Sequence, residues 1–243
     1  MIYDATEFVF QPPPQIARAR RILIKPSASE DDPYPHTTSA ALLETIIAGI
    51  RLVSDADILL LEGTAHGDSV QPIYRQLGYN FPRVLALDVK DCTWVEVDNP
   101  LDKPYAVPTF WIPNVILSSD YLISVSPLKV VNGNASMSIT NLLTVLPNAK
   151  YDGLSGVNLE VLRNLGLDRS LADLYFTLPF DMGIIEANCI YSHREETGEE
   201  LMEECGKVFI GDPYQIDCEA SKLLGLSAKY LELIKTAKKE FDF

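Results

Sequence analysis

Two short runs of apolar residues, separated by a segment with helical periodicity, constrain the fold of this chain more than any other feature. Residues 21–26 read Arg-Ile-Leu-Ile-Lys-Pro and residues 57–62 read Asp-Ile-Leu-Leu-Leu-Glu, and each has the length and composition of a buried strand. Between them, residues 38–53 repeat apolar side chains at spacings of three and four, which is typical of a helix with one buried face. This order predicts a βαβ unit, and the near-continuous apolar strands indicate a sheet that is covered on both faces.

The rest of the chain continues this alternation of strands and helices. Further strands are predicted at residues 83–88, 93–97, 109–113, 120–127, 183–187 and 207–211, and further helices at residues 136–146, 212–224 and 228–239. We therefore predict an α/β fold, layered, with a mostly parallel or mixed sheet and helices on both faces. Residues 1–20, which include three consecutive prolines, are predicted to form an N-terminal arm, and residues 21–243 a single α/β domain without internal repeats or linkers.

The charge and the cysteines disfavour several classes of protein. A net charge of −14 repels phosphate backbones and anionic membrane surfaces, so we expect no nucleic-acid partner and no membrane partner. Since no apolar run approaches the roughly 20 residues of a membrane span, and the first residues lack the basic start of a secretory leader, we expect a cytoplasmic protein. The four cysteines show no Cys-x-x-Cys pair, so no iron–sulfur cluster is expected on this chain.

The sequence also lacks the motifs of the common nucleotide-binding and hydrolytic enzymes. It contains no Gly-x-Gly-x-x-Gly, no Gly-x-x-x-x-Gly-Lys-Ser/Thr, no Gly-x-Ser-x-Gly and no His-Glu-x-x-His. These absences argue against a serine hydrolase, a P-loop ATPase and a zinc protease of the His-Glu-x-x-His type.

Polar residues stand where the predicted strands end, which is where open α/β sheets bind ligands. Lys25 closes the first strand, Glu62 closes the second, and Lys129 follows the strand that ends at Pro127, while His36 directly precedes the first helix. Either lysine could neutralise a carboxylate or a phosphate, or could pair with a surface acid instead. His36 could be a metal ligand, a general base or an anion contact, or a loop histidine with only local hydrogen bonds.

Two acidic groups offer weaker signals. Glu62, His66 and Asp68 are donor types for a divalent cation, but their spacing matches no metal signature, and a solvated loop is the better interpretation. Asp212, which precedes Pro213, is predicted to cap a helix, with Gly225 at the other end of that helix. Asp217 lies at the edge of the apolar face of the same helix, so we expect it to have a polar partner.

Four stretches, in order along the chain, resemble the family called domain of unknown function 362. The matching stretches are Ile24-Lys25-Pro26-Ser27 with the following His36-Thr37-Thr38-Ser39, residues 118–125 with Lys129, residues 137–142 and Ile210-Gly211-Asp212-Pro213 with Asp217 and Gly225. The resemblance implies that Asn141, Asp212 and Asp217 join Lys25, Glu62 and Lys129 as ligand-binding residues, and that Lys25, His36 and Lys129 are catalytic candidates. The resemblance does not indicate whether such a site holds a metal ion.

The chain departs from the family pattern at three polar positions. Val131 stands where the family usually has a histidine, Thr140 where it has a lysine, and Glu186 where it has an aspartate. Relatives often carry ferredoxin-like iron–sulfur modules beside this domain, and because this chain has none, the resemblance implies that any redox link comes from a partner protein.

Three hypotheses for the function follow from these observations. The first is an enzyme of redox or cofactor metabolism that binds a small anionic ligand, with or without a metal ion, at the strand ends. The alternative is a non-catalytic binding or assembly protein that serves an iron–sulfur or redox partner. The third is a structural domain without a ligand.

Overall fold

The computed structural model describes residues 1–64, 66–152, 159–194, 196–226 and 228–240. The strands are β1 (Ile2–Asp4), β2 (Arg21–Lys25), β3 (Asp57–Glu62), β4 (Val84–Asp88), β5 (Trp94–Asp98), β6 (Thr109–Pro113), β7 (Tyr121–Val131), β8 (Asn134–Ser136), β9 (Met182–Arg194) and β10 (Glu199–Gly211). The α-helices are α1 (Ala40–Val53), α2 (Gln71–Gln76), α3 (Asn114–Leu117), α4 (Asn148–Tyr151), α5 (Glu160–Leu165), α6 (Leu167–Thr177), α7 (Pro213–Leu224) and α8 (Lys229–Glu240).

A mixed sheet of eight strands forms the centre of the fold. Its order is β1-β10-β9-β7-β2-β3-β4, with β8 paired to β7, while β5 and β6 form a separate two-stranded sheet. The strands β9, β7, β2, β3 and β4 run parallel to one another, and β10, β1 and β8 are antiparallel to their neighbours. The predicted α/β fold with a mixed sheet is confirmed.

The apolar side chains of the central strands alternate between two cores. Ile22 and Ile24 of β2 pack with the apolar face of α1 and with α2, whereas Leu23 between them packs with the β5–β6 pair and with α4 to α6. Further along the sheet, Ile185 of β9 packs against α7 and α8. Helices therefore cover both faces, as the continuous apolar strands predict, because each strand buries both of its sides.

Residues 1–20, predicted as an arm, pack closely against the domain. Ile2 to Asp4 extend the sheet by pairing with Lys207 to Phe209 of β10, and Phe10 is buried in the core beside α1. Gly49 of α1 permits this contact, since a Cβ atom there would lie 2.7 Å from the Phe10 carbonyl oxygen. Among the described residues, no helix is long and apolar enough to cross a membrane.

The predicted helix at residues 136–146 is only partly present. That segment begins as the end of β8 and continues as a 3-10 helix at Thr140–Val145. The Asp217 carboxylate of α7 accepts hydrogen bonds from the backbone N–H groups of Ser138 and Ile139, and it holds this stretch in a turn before the 3-10 helix. Leu146 then has extended backbone angles and Pro147 follows it, so the helical segment ends there.

Candidate functional site

The ends of three parallel strands bring the predicted site residues to one edge of the sheet. Lys25 ends β2 and pairs in register with Ser124 of β7, and Glu62 ends the neighbouring β3. Lys129 lies further along β7, beyond the end of β2. This edge is where the carboxyl ends of parallel strands meet the loops that lead into helices.

Lys25 is a fully buried lysine whose ammonium group has all its hydrogen-bonding capacity filled. Its Nζ donates to the Glu62 carboxylate at 2.9 Å, to Oδ1 of Asn141 at 3.0 Å and to the carbonyl oxygen of Pro26 at 2.7 Å. An ammonium has three N–H donors, so none remains for a ligand in this conformation. Burial lowers the pKa of Lys25, and the charge and hydrogen bond of Glu62 act in the opposite direction.

The side chains that accept hydrogen bonds from Lys25 are also bonded to other groups of the chain. The Glu62 carboxylate, also fully buried, accepts hydrogen bonds from the backbone N–H groups of Ala28 and Gly63 at 2.7 and 3.0 Å and from the Thr144 hydroxyl at 2.6 Å. The Asn141 amide donates to the Lys25 carbonyl oxygen and to Oγ of Ser124. The three side chains thus form a network that ties β2, β3 and β7 to the 3-10 helix.

Lys129 differs from Lys25 in the number of groups that accept hydrogen bonds from it. Its largely buried ammonium donates to the carbonyl oxygen of His36 at 2.7 Å, and within the described residues no carboxylate lies within 4.0 Å of it. Burial lowers the pKa of Lys129, whereas the more distant carboxylates of Glu30 and Glu62 raise it. Because one carbonyl occupies only one of three donors, this ammonium retains capacity for a ligand.

Aromatic side chains from β9 lie beside Lys129. The rings of His36 and Tyr191 are 4.2 Å apart between centroids, and Tyr191 is followed along β9 by His193 in a parallel orientation at 6.4 Å. The carboxylate of Glu200 accepts a hydrogen bond from the Tyr191 hydroxyl and lies 3.7 Å from Nδ1 of His193. Sequence reasoning missed His193, which the strand pairing places opposite Val131, the position where the family usually has a histidine.

The N-terminus of α1, where an anion contact was one of the alternatives for His36, holds a carboxylate of the chain itself. Ser39 is the N-cap, and its backbone N–H and hydroxyl donate to the Glu186 carboxylate at 2.9 and 2.5 Å. Burial raises the pKa of Glu186, and the two hydrogen bonds from Ser39 lower it. Glu186 therefore satisfies the positive end of the helix, and no local pattern in the sequence pairs it with Ser39, which is 147 positions away.

Asp212 directly precedes α7, and Asp217 lies on its second turn. Asp212 caps α7 by accepting from the backbone N–H of Gln215, which confirms the predicted cap. The fully buried Asp217 accepts from Ser138, Ile139 and the Tyr230 hydroxyl, so the expected polar partners are present. Burial raises the pKa of Asp217 to about 6, against the effect of these hydrogen bonds.

An open cleft of about 440 Å³ is lined by the loops that follow β2 and β3 and by α2. Its described lining includes the carboxylates of Glu30, Asp31, Asp32 and Asp68, together with His66, and no lysine or arginine. Negative charge of this density disfavours an anion inside the cleft itself. Within the described part of the chain, no group of three or more histidine, cysteine, aspartate or glutamate side chains is arranged to hold a metal ion.

The fold and the strand-end residues define an α/β protein with a mixed sheet and a polar site at the carboxyl edge of its parallel strands. The chain belongs to the family described as Domain of unknown function (DUF362), whose family model matches residues 22–222. The search of curated proteins gave no match.

A solved structure resembles the fold. It is the lactate racemase apoprotein from Thermoanaerobacterium thermosaccharolyticum, with 13% sequence identity and a TM-score of 0.57. The alignment covers 90% of this chain and 53% of that chain, so this chain spans about half the length of the solved protein. At this identity the similarity concerns the fold alone.

Proposed function

We propose that this protein binds a small anionic ligand, a cofactor or a substrate, at the carboxyl edge of its parallel strands, with Lys129 as the anchoring cation. One observation carries the proposal: the Lys129 ammonium is largely buried, bonds to a carbonyl oxygen, and has no carboxylate within 4.0 Å in the described residues. A buried cation without a paired anion is costly, and a carboxylate or phosphate of a ligand would relieve that cost.

The other predicted residues have two roles in this proposal: some line the site beside Lys129, and others hold the strand ends in position. His36 and Tyr191 form an aromatic wall beside Lys129, and the carboxylate of Glu30 is close enough to influence the Lys129 charge. Lys25, Glu62 and Asn141 contribute as positioning residues, because their closed network fixes the ends of β2 and β3 beneath the site. Asp212 and Asp217 stabilise α7 and its contacts with the rest of the fold and do not contact the ligand.

This arrangement is also compatible with proton transfer. Burial lowers the pKa of Lys129, so the neutral amine forms more easily there than on an exposed lysine. A ligand held by Lys129 would lie beside the His36 ring, and either group could exchange a proton with it. The similar solved structure is of an apoprotein, an enzyme without its cofactor, which supports including cofactors among the candidate ligands.

Ligand binding by a Lys129→Gln variant tests this proposal. Thermal shift followed by calorimetry would screen inorganic phosphate, phosphate monoesters, monocarboxylates and dicarboxylates, each with and without Mg²⁺. We expect at least one compound to bind the native chain and to lose about tenfold or more in affinity in the variant, which corresponds to about 1.4 kcal/mol. The exposed Lys103→Gln serves as the matched control and should bind normally.

Two results would contradict the proposal. One is the absence of binding by every compound in the panel to the folded native chain. The other is a compound that binds the native chain, Lys129→Gln and Lys103→Gln with equal affinity, since a ligand anchored by Lys129 must sense its removal.

A further inference from the structure

The distal half of β10 is an exposed strand edge. Strand β10 runs from Glu199 to Gly211, but β1 pairs only with its residues Lys207 to Phe209. In the described part of the chain, no strand pairs with the outer edge of β10 from Glu199 to Glu204, and all six residues are exposed. We call these six residues the acidic edge.

The acidic edge combines four carboxylates with two exposed apolar side chains. Its sequence is Glu-Glu-Leu-Met-Glu-Glu, in which Leu201 is 48% exposed and Met202 is 69% exposed. Arg194 lies 3.7 Å from Glu199, but within the described residues no basic side chain lies within 4.0 Å of Glu203 or Glu204. Unpaired backbone groups beside exposed apolar side chains form a template for a further strand.

The charge of this edge selects its partner. A second copy of the chain would place glutamates opposite glutamates, and like charges that face each other across a strand pair are destabilising. A strand rich in lysine or arginine would instead face opposite charge along the pair, and the net charge of −14 would draw such a segment toward the chain.

We propose that the acidic edge binds an extended basic segment of another protein as an added strand. The backbone of the segment would pair with the free edge of β10 from Glu199 to Glu204, and its basic side chains would face the glutamates. Because adjacent residues of a strand point to opposite faces, Leu201 and Met202 would contact apolar residues of the segment on the two faces of the sheet. This interaction is independent of the ligand proposed at Lys129.

A fluorescent peptide that contains the sequence Lys-Lys-Val-Val-Lys-Lys is the probe for this proposal, because it can place lysines opposite the four glutamates and valines opposite Leu201 and Met202 on both faces of the sheet. Its binding to the full chain is followed by anisotropy. We expect saturable binding that weakens with added salt, and slower amide hydrogen exchange at residues 199–204 when the peptide is bound. Glu203→Lys combined with Glu204→Lys should weaken binding at least tenfold. Glu44→Lys combined with Glu232→Lys changes the net charge equally at exposed positions in α1 and α8, and it should weaken binding far less.

A second peptide separates strand pairing from charge attraction alone. In this peptide every backbone amide is N-methylated, so it keeps the lysines but cannot donate backbone hydrogen bonds. We expect it to bind at least tenfold more weakly than the unmodified peptide. Equal binding of the two peptides, equal effects of the two double variants, or unchanged hydrogen exchange at residues 199–204 would each overturn the proposal.

Discussion

Lys25 and Lys129 are the same kind of side chain near neighbouring strand ends, yet their surroundings give them different chemistry. Lys25 faces the Glu62 carboxylate at 2.9 Å and has three acceptors, whereas Lys129 has the carbonyl oxygen of His36. A buried charge is tolerated when it is paired and fully hydrogen-bonded, so Lys25 can serve the fold without a ligand. The residue type alone therefore does not separate a supporting lysine from one with capacity to bind.

Substitution of Glu62 by glutamine tests the supporting role. The Lys25 ammonium would lose its counter-charge while remaining buried, and removing one partner of a buried ion pair costs about 3–5 kcal/mol. We expect a loss of that order in the free energy of unfolding measured with urea. The exposed pair between Arg83 and Asp55 offers the control, because Asp55→Asn should change stability little.

The double variant Lys25→Met with Glu62→Gln separates the effect of the buried charge from that of the other hydrogen bonds. It removes both charges and keeps an amide oxygen at position 62 that can accept from the backbone N–H groups of Ala28 and Gly63, so it should be more stable than Glu62→Gln alone. If Glu62→Gln and Asp55→Asn had the same small effect on the free energy of unfolding, the network would not hold the strand ends together as described.

At the scale of elements, the sequence predicts those parts of the fold that its own local pattern encodes. The apolar runs of β2 and β3 and the cap of α7 were predicted within a residue or two of their observed bounds, because burial and capping leave a local signature. The outer halves of β9 and β10 were missed. The outer half of β10 is exposed and acidic, and such a strand has no apolar alternation by which to recognise it.

The same limit applies to the candidate site. Lys25, Glu62 and Lys129 could be placed at strand ends from the sequence, but the hydrogen bond between Lys25 and Asn141 joins residues 116 positions apart. The turn that replaces the first part of the predicted helix at residues 136–146 depends on Asp217, which is 79 positions from Ser138. Contacts of this separation follow from the topology of the sheet, and no local pattern reports them.

The contact of β9 with α7 gives a prediction for these two elements. Gly183 of β9 lies so close to α7 that a Cβ atom there would be 2.7 Å from Cδ1 of Ile216 and 2.8 Å from Oγ of Ser138. Overpacking of this kind costs about 1–3 kcal/mol, so Gly183→Ala should lower the free energy of unfolding by that amount. Ile216→Val removes Cδ1 and should partly relieve the clash.

A double-mutant cycle measures this relief. The combination of Gly183→Ala and Ile216→Val should be less destabilised than the sum of the two single variants, since residues in contact do not act additively. If the changes in the free energy of unfolding were additive, β9 and α7 could move apart at little cost. Their close approach would then not constrain residue 183.

For the whole molecule, the dominant long-range property is its negative charge. Acidic residues outnumber basic ones by 34 to 20. Carboxylates therefore repel one another over the surface, and self-repulsion opposes the compact state. The acidic edge and the cleft lined by Glu30, Asp31, Asp32 and Asp68 are two places where carboxylates are concentrated on the surface.

Salt should consequently stabilise this protein. Raising NaCl from about 0.1 M to about 1 M shortens the screening length from about 10 Å to about 3 Å, which weakens repulsion between surface charges more than it weakens the buried pair of Lys25 and Glu62. We expect the midpoint of thermal unfolding to rise with salt. A variant with lysine at four exposed glutamate positions, 7, 44, 203 and 204, would carry a net charge of about −6 and should respond less. If salt raised the midpoint of both proteins equally, the rise would come from general effects of salt on burial rather than from charge. If the midpoint of the native chain fell instead, its surface ion pairs would outweigh the repulsion.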